Sequence, residues 1–119
     1  DLYNQYLSNY ADMVEVPKVA KDNVHTWFVY VIRIKKPKVK RDKVISELAA
    51  SGISTKPYLP SIHLFDFYKK KFKHKKGDFP ISEMVSDSSL ALPFYIGLKE
   101  NDIKYISNKV ISVIANYGK

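Results

Sequence analysis

The sequence contains no cysteine among its 119 residues and only four glycines. Without cysteine, the chain has no disulfide framework, no thiolate metal site and no cysteine nucleophile. The glycines are scattered at positions 52, 77, 97 and 118, so neither a dinucleotide-binding G-x-G-x-x-G motif nor a phosphate loop is present. No serine stands in a nucleophile-elbow pattern. These absences exclude the common self-contained catalytic and nucleotide-binding motifs.

Arginine is scarce as well, although the chain is basic. Only Arg33 and Arg41 are arginines among 20 basic residues, which face 12 acidic residues and give a formal net charge of +8. The excess lies in two clusters, Lys35–Lys43 and Lys69–Lys76. Such clusters can form a phosphate-binding surface, but sequence-reading sites favour arginine and lysine is the commoner solubilising residue. We therefore interpret both clusters as solvated surface and do not expect nucleic-acid binding.

Long apolar runs are missing too. No run reaches the roughly 18 residues of a membrane span, and no signal-peptide pattern opens the chain, so we expect a cytoplasmic protein without membrane contact. The first residue is Asp1, and Leu2, Tyr6 and Tyr10 have the spacing of a helix already under way. We expect a segment of a longer chain, with residues 1–22 as the end of a preceding helix and an irregular connector. The alternative is a complete small protein whose methionine or tag has been removed.

Apolar residues make up 45% of the chain, which is typical of a single domain with its own hydrophobic core. Their patterns predict strands at His25–Ile34, Ile53–Leu59 and Leu90–Tyr95, and an irregular extended connection at Met13–Val19. Besides the opening helix, they predict helices at Arg41–Ser51, Pro80–Ser88 and Lys99–Tyr117, and a short amphipathic helix from Leu64 to Phe72. The alternation indicates an α/β or α+β fold, a small antiparallel or mixed sheet packed with helices.

Local signals refine these elements. The strand at His25–Ile34 is apolar on both faces, which predicts a central strand covered on both sides. Pro93 marks the last strand as an edge strand, because proline cannot donate to a sheet ladder. Gly52 and Gly118 are typical helix ends, and Gly52 would place Ile53 over the preceding helix in a Schellman motif.

One stretch, Gly52 to Leu64, holds the candidate ligand-binding residues. Its sequence is G-I-S-T-K-P-Y-L-P-S-I-H-L, in which Pro57 and Pro60 frame Tyr58. Proline fixes φ near −65° and pushes a strand to an edge or ends it. Tyr58 and His63 therefore lie on a stiff surface segment from which a side chain can be aimed at a ligand.

The three histidines lack the spacing and the neighbouring carboxylates of a zinc site. Taken alone, His25 is interpreted as a strand-edge side chain and His74 as a surface residue among lysines. His63 is equally compatible with a satisfied structural histidine and with a ligand contact. From these patterns alone the function stays open.

Several separate motifs, in order, resemble a known family. The runs R-D-K-V-I-S-E-L-A-A-S-G-I-S-T-K-P-Y-L-P-S-I-H-L, G-D-F-P-I-S-E and L-A-L-P-F-Y-I-G-L-K-E-N-D resemble the C-terminal small domain of the DegT/DnrJ/EryC1/StrS aminotransferases. The likeness covers roughly His25 to Tyr117. Two positions depart from the family pattern: Lys99, where threonine or serine is usual and caps the helix, and Ile96, where a second proline is frequent.

The resemblance implies a fold type I, pyridoxal-phosphate-dependent enzyme that transfers an amino group from glutamate to a keto sugar nucleotide. It implies that residues 23–119 are the small domain, that the Schiff-base lysine and the cofactor site lie in a large domain outside this chain, and that the full-length protein is a homodimer. Tyr58 and His63 are then substrate-binding residues at the sugar end of the cleft. This chain alone is expected to catalyse nothing. The alternative is a self-contained basic module that binds anions or nucleic acid.

Overall fold

The chain forms five α-helices and four strands within residues 2–117, the part that the computed structural model describes. The helices are α1 (Leu2–Leu7), α2 (Arg41–Ala50), α3 (Asp66–Phe72), α4 (Pro80–Ser88) and α5 (Glu100–Tyr117). The strands are β1 (Val14–Glu15), β2 (Tyr30–Ile34), β3 (Lys56–Pro57) and β4 (Ser89–Leu92). Two 3₁₀ turns, Ser8–Tyr10 and Ile62–Leu64, complete the regular structure of this part.

The strands form one antiparallel sheet in the order β1-β2-β4-β3. Tyr30 pairs with Leu92 and Ile32 with Leu90, so these four side chains share one face, since side chains alternate along a strand. All four are buried. The expected fold class, a small antiparallel sheet packed with helices, is confirmed.

Helices α1, α2 and α5 build the core against this face. The apolar stripe of α5 is buried from Ile103 to Ile114, and α5 contacts both α1 and α2. Lys99 immediately precedes the helix, as expected, and its carbonyl accepts the first helical hydrogen bonds. Gly118, the predicted end of α5, lies outside the described residues.

The predicted Schellman motif at the end of α2 is confirmed. Gly52 has φ +78°, and its N–H donates to the Ala49 carbonyl at 2.9 Å. The Ile53 N–H donates to the Leu48 carbonyl at 2.9 Å, and both of these side chains are buried. The motif turns the chain sharply into the segment that carries Tyr58 and His63.

The predicted strand at His25–Ile34 is wrong at its N-terminal half. Only Tyr30–Ile34 pairs, and Trp27 has φ +43°, which an extended strand cannot accommodate. Trp27 is half-buried and stacks on Tyr30 at 6.0 Å between ring centroids, whereas Phe28 is 77% exposed. His25 lies in this loop and not at a strand edge, and its Nδ1 accepts the Trp27 N–H at 2.9 Å.

The remaining strands also differ from expectation. The connection at Met13–Val19 contains β1, which pairs with β2 through Val14 and Glu15. Strand β4 lies between β2 and β3, so Pro93 ends an interior strand and does not mark an edge. The edge strand predicted at Ile53–Leu59 pairs only at Lys56 and Pro57. Pro57 has no N–H to donate to the ladder, and Leu59 adopts φ +49°, which an extended strand cannot accommodate.

Helix α4 lies near the second face of the sheet. The predicted helix is present, but Ile81, Met84 and Val85 are 75%, 47% and 41% exposed, and the buried residue of α4 is Glu83. Helix α3 is likewise present and has no buried residue. Thus β2 is well covered on one face, while its Val31 remains half-buried on the other. No helix in the described part of the chain is long and apolar enough to cross a membrane.

Candidate functional site

A groove of about 800 Å³ opens between the segment after β3, helix α3 and helix α4, with β2 and β4 below it. We call it the His63 groove. Most of its wall is apolar, and it is lined by Val31, Tyr58, Leu59, Pro60, Ser61, Ile62, His63, Tyr68, His74, Phe79, Ile81, Ser82, Val85, Ser86 and Ser89. A mostly apolar groove with a few placed polar groups is the usual form of a small-molecule site. Both predicted site residues, Tyr58 and His63, line it.

Tyr58 is held by the backbone on either side of it. Pro57 closes the edge strand, and Leu59 adopts φ +49°, a left-handed conformation that is rare for a branched residue. Pro60 then fixes the following φ. Tyr58 itself is half-buried, and its hydroxyl makes no side-chain hydrogen bond within residues 2–117. Its phenol is therefore free to contact a ligand in the groove.

His63 is held far more tightly. It sits in the 3₁₀ turn Ile62–Leu64, which is closed by the Leu64 N–H donating to the Ser61 carbonyl at 3.0 Å. The residue is 8% exposed, and its ring packs against Phe79 with centroids 4.8 Å apart. Its Nε2 lies 2.9 Å from the Oε1 atom of Glu83.

Glu83 is a buried carboxylate behind the groove, 7% exposed. Its Oε1 atom also accepts the Gly77 N–H at 2.7 Å. Burial by itself raises the pKa of this carboxyl, but the hydrogen bonds from Gly77, His63 and the Phe79 backbone together hold the pKa below its ordinary value. Glu83 therefore remains an acceptor-only carboxylate at neutral pH.

Glu83 ends the run G-D-F-P-I-S-E, but no sequence pattern marks it as a site residue. Its only local signal is its place in the first turn of a helix that begins with Pro80. An acidic residue there is ordinary, because it complements the helix dipole. Its pairing with His63, 20 residues away, is a tertiary feature.

His74 and Asp78 form the rim beside this pair. His74, interpreted from the sequence as a surface residue, is half-buried, and its ring centroid lies 6.2 Å from that of His63. Asp78 Oδ2 accepts the Lys75 N–H at 3.0 Å and lies 3.3 Å from His74 Nδ1. These contacts, the Lys75 N–H first, lower the pKa of Asp78. Within the described residues no three His, Asp or Glu side chains are grouped as metal ligands.

A second, smaller cavity of about 310 Å³ lies beside α1 and the Trp27 loop, lined by Leu2, Tyr3, Asn4, Trp27, Tyr30, Phe94, Tyr95, Leu98 and Ile103. Its two buried tyrosines already have partners: the Tyr3 hydroxyl donates to the Pro93 carbonyl at 2.9 Å, and that of Tyr30 donates to Asn4 Oδ1. Burial raises the pKa of both phenols, so neither of them ionises near neutral pH.

The basic clusters are partly tied into the structure. Lys35 donates to the Ala11 carbonyl at 2.7 Å, Lys36 bonds Asp12 at 2.9 Å, and Arg41 donates to the Ser86 carbonyl at 2.6 Å. On α3, Lys71 lies over the rings of Phe67 and Phe72 at 5.4 and 5.5 Å. Neither cluster lines the His63 groove apart from His74 at its edge.

The fold matches one part of solved aminotransferase structures. The described structure matches Spr1654 of Streptococcus pneumoniae, described as a candidate sugar aminotransferase, with a TM-score of 0.84 at 20% identity. The match covers 98% of this chain and 30% of that one. At this identity the likeness shows the fold alone.

The sequence comparison identifies the family. The family model of the DegT/DnrJ/EryC1/StrS aminotransferases matches residues 1–111, and the chain belongs to this family. It is 33% identical to the uncharacterized protein MJ1066 of Methanocaldococcus jannaschii over 116 residues, which is 96% of this chain and 30% of that protein. It is 31% identical to the GDP-perosamine synthase of Caulobacter vibrioides over 102 residues, covering 85% of this chain and 27% of that enzyme. The chain thus spans about 30% of the length of these relatives.

Proposed function

We propose that this chain is the C-terminal small domain of a pyridoxal-phosphate-dependent aminotransferase that transfers an amino group from glutamate to a keto sugar nucleotide. The observation that carries the proposal is family membership over residues 1–111. A relative named GDP-perosamine synthase supports a nucleotide-linked amino sugar as the product. Residues 1–22 as a connector and 23–119 as the domain remain the proposed division.

The cofactor is proposed to lie in the part of the protein outside this chain. The structural neighbour Spr1654 is known in forms with pyridoxal phosphate and with its aminated counterpart, which supports the cofactor for the whole protein. A lysine that holds this cofactor needs a shielded setting. None of the lysines within residues 2–117 is buried, which supports a cofactor site outside this chain. No step through the cofactor is therefore assigned to this chain.

The part assigned to this chain is to shape the sugar end of the cleft. The mostly apolar wall of the His63 groove suits the faces of a sugar ring. Tyr58 offers a phenol that can stack on such a face and donate a hydrogen bond, and His63 offers one ring nitrogen. Both residues are proposed to contact the nucleotide sugar and not the cofactor.

A two-part spectroscopic experiment tests this function. The full-length protein is expected to show the absorbance of bound pyridoxal phosphate, to lose it on addition of glutamate, and to regain it on addition of a keto sugar nucleotide. The 119-residue chain, mixed with the cofactor and reduced with borohydride, is expected to show only scattered weak labelling. Stoichiometric labelling of one lysine in the short chain would contradict the placement of the cofactor. A spectrum that no keto sugar nucleotide restores would contradict the substrate.

The alternative, a self-contained module that binds anions or nucleic acid, is not favoured, because the family match includes both lysine clusters and the groove in one domain pattern. A homodimeric full-length protein stays a prediction of the family resemblance, which light scattering would check.

A further inference from the structure

We propose that Glu83 is a positioning residue: it fixes the tautomer of His63, so that the Nδ1 atom of this imidazole faces the groove as a hydrogen-bond acceptor for a sugar hydroxyl. The geometry that carries the proposal is the 2.9 Å contact between His63 Nε2 and Glu83 Oε1, two side chains that are each more than nine-tenths buried. Where it names the sugar, the inference rests on the proposed function.

The tautomer follows from what Glu83 can do. Its Oε1 accepts the Gly77 N–H at 2.7 Å as well as the contact from His63, and an ionised carboxylate has lone pairs but no proton to donate. The nitrogen that faces it must therefore carry the hydrogen. In a neutral imidazole the second nitrogen is then an acceptor.

The second nitrogen is inferred to face the groove, which His63 lines. Phe79 and His74 hold the ring in edge contacts, at 4.8 and 6.2 Å between centroids. Within residues 2–117 no hydrogen bond reaches His63 Nδ1. Two side-chain polar atoms in this part of the chain are inaccessible to solvent and lack a hydrogen-bond partner, Thr55 Oγ1 and Ser107 Oγ. His63 Nδ1 is not one of them, so it is accessible to solvent. The small accessible fraction of a side chain that lines the groove thus includes Nδ1.

A fixed neutral acceptor selects its ligand by chemistry. It receives a hydrogen bond from a hydroxyl, and it repels a phosphate or carboxylate oxygen, because two lone pairs would then face each other. The sequence left His63 open to either a hydroxyl or the diphosphate of the substrate. With the imidazole neutral, the Glu83 contact favours the hydroxyl over the diphosphate.

The first test reads the tautomer directly in the full-length protein, labelled with ¹⁵N-histidine. The His63 resonances are identified by their loss in His63→Gln. In the wild-type protein the proposal expects the proton of His63 on Nε2 and none on Nδ1. Glu83→Gln keeps an acceptor oxygen and is expected to keep this tautomer, whereas Glu83→Ala is expected to give a mixture. A proton on Nδ1 in the wild-type protein would overturn the proposal without the need for any variant to fold.

The second test separates positioning from general support of the structure. Glu83→Ala is expected to lower kcat/KM for the keto sugar nucleotide about 10-fold or more, an ordinary loss for one misplaced hydrogen bond, while Glu83→Gln retains most of it. The half-reaction with glutamate should stay within about twofold of wild type, because it does not use the sugar hydroxyl. Asp78→Asn is the matched control, because it loosens the same turn through the Lys75 N–H without touching His63.

The outcomes distinguish this inference from the proposed function. Equal losses in Glu83→Ala and Asp78→Asn, or equal losses in both half-reactions, would show that Glu83 only supports the fold and would overturn the inference. If no keto sugar nucleotide is aminated at all, the proposed function and the sugar part of the inference fail together. The tautomer is still decided by the ¹⁵N spectrum in that case.

Discussion

Tyr58 and His63 line the same groove but are held in opposite ways. Tyr58 is fixed by its backbone, between two prolines and a left-handed Leu59, and its hydroxyl is free of side-chain partners within the described residues. His63 is fixed by its side chain, through Glu83 and Phe79. Replacing Tyr58 should therefore affect ligand binding with little effect on stability, whereas replacing His63 affects both.

Tyr58→Phe tests the binding role of the phenol in the full-length protein. Loss of one hydrogen bond to the sugar is expected to lower kcat/KM for the keto sugar nucleotide about 10-fold, with the glutamate half-reaction unchanged. Tyr105→Phe is the matched control, because its hydroxyl donates to the Ser51 carbonyl at 3.2 Å, outside the groove. A fall in Tm with unchanged kinetics would show that Tyr58 is structural.

The lowered pKa of Glu83 predicts that the protein loses stability at acid pH. Its pKa in the folded protein is held below the ordinary value of about 4.5, so the unfolded state binds its proton first as the pH falls. The stabilisation by Glu83 is then fully present above that ordinary value and is lost as the pH falls through the folded pKa. The Tm of the wild-type chain should exceed that of Glu83→Gln near neutral pH, and the difference should shrink in acid. A difference that is independent of pH down to about pH 3 would contradict an ionised Glu83.

Only those candidate site residues that have a local sequence signal could be predicted. Pro57, Pro60 and the motif order point to Tyr58 and His63 from sequence. Glu83 could not be found this way, because a carboxylate in a first helical turn is ordinary there. Its role depends on a fold that brings α4 back onto the 3₁₀ turn of His63.

Among the elements, the end of α2 was predictable because its signal is local. The Schellman motif needs only Gly52 and the apolar residues on either side of it. Strand lengths depend on partners: β2 pairs with β1 and with the four-residue β4, so the apolar residues before Tyr30 have no partner strand and turn away at Trp27. An apolar stripe in the sequence also does not specify the surface that it packs against. The exposure of the apolar side chains of α4 was therefore not predicted.

Gly52→Ala tests the Schellman turn. An added Cβ would meet no atom within 4 Å, so the cost arises from the left-handed backbone alone and is expected to be about 1–2 kcal/mol. Gly52→Asn should cost less, because asparagine tolerates this conformation better. Urea denaturation of the 119-residue chain measures both. Equal costs, or none, would show that the turn relaxes to a different backbone.

Ile32→Ala and Ile81→Ala compare two isoleucines on different elements. Ile32 on β2 is fully buried in the core, and Ile81 on α4 is 75% exposed. In the 119-residue chain the first substitution is expected to cost about 2–5 kcal/mol and the second to stay within about 0.5 kcal/mol. Denaturant unfolding of both variants checks this. A large cost at Ile81 would mean that α4 packs more closely in solution than in this structure.

On the scale of the whole molecule, the chain is a folded core with a partly apolar, grooved surface on one side. The core face of the sheet is closed by α1, α2 and α5, while α3, α4 and the Tyr58 segment present exposed aromatic and aliphatic residues around the groove. Large exposed apolar patches mark interaction or ligand sites. A chain that spans about 30% of its relatives is therefore proposed to complete its site only within the longer protein.

We propose that the longer protein aminates a keto sugar nucleotide and that this chain binds its sugar end. The most direct measurement incubates the full-length protein with ¹⁵N-glutamate and a keto sugar nucleotide and follows the label by mass spectrometry. We expect the ¹⁵N in an amino sugar nucleotide, at a rate reduced by Tyr58→Phe and unchanged by Tyr105→Phe. Label that enters a keto acid but no sugar, or transfer that is indifferent to Tyr58, would contradict the account.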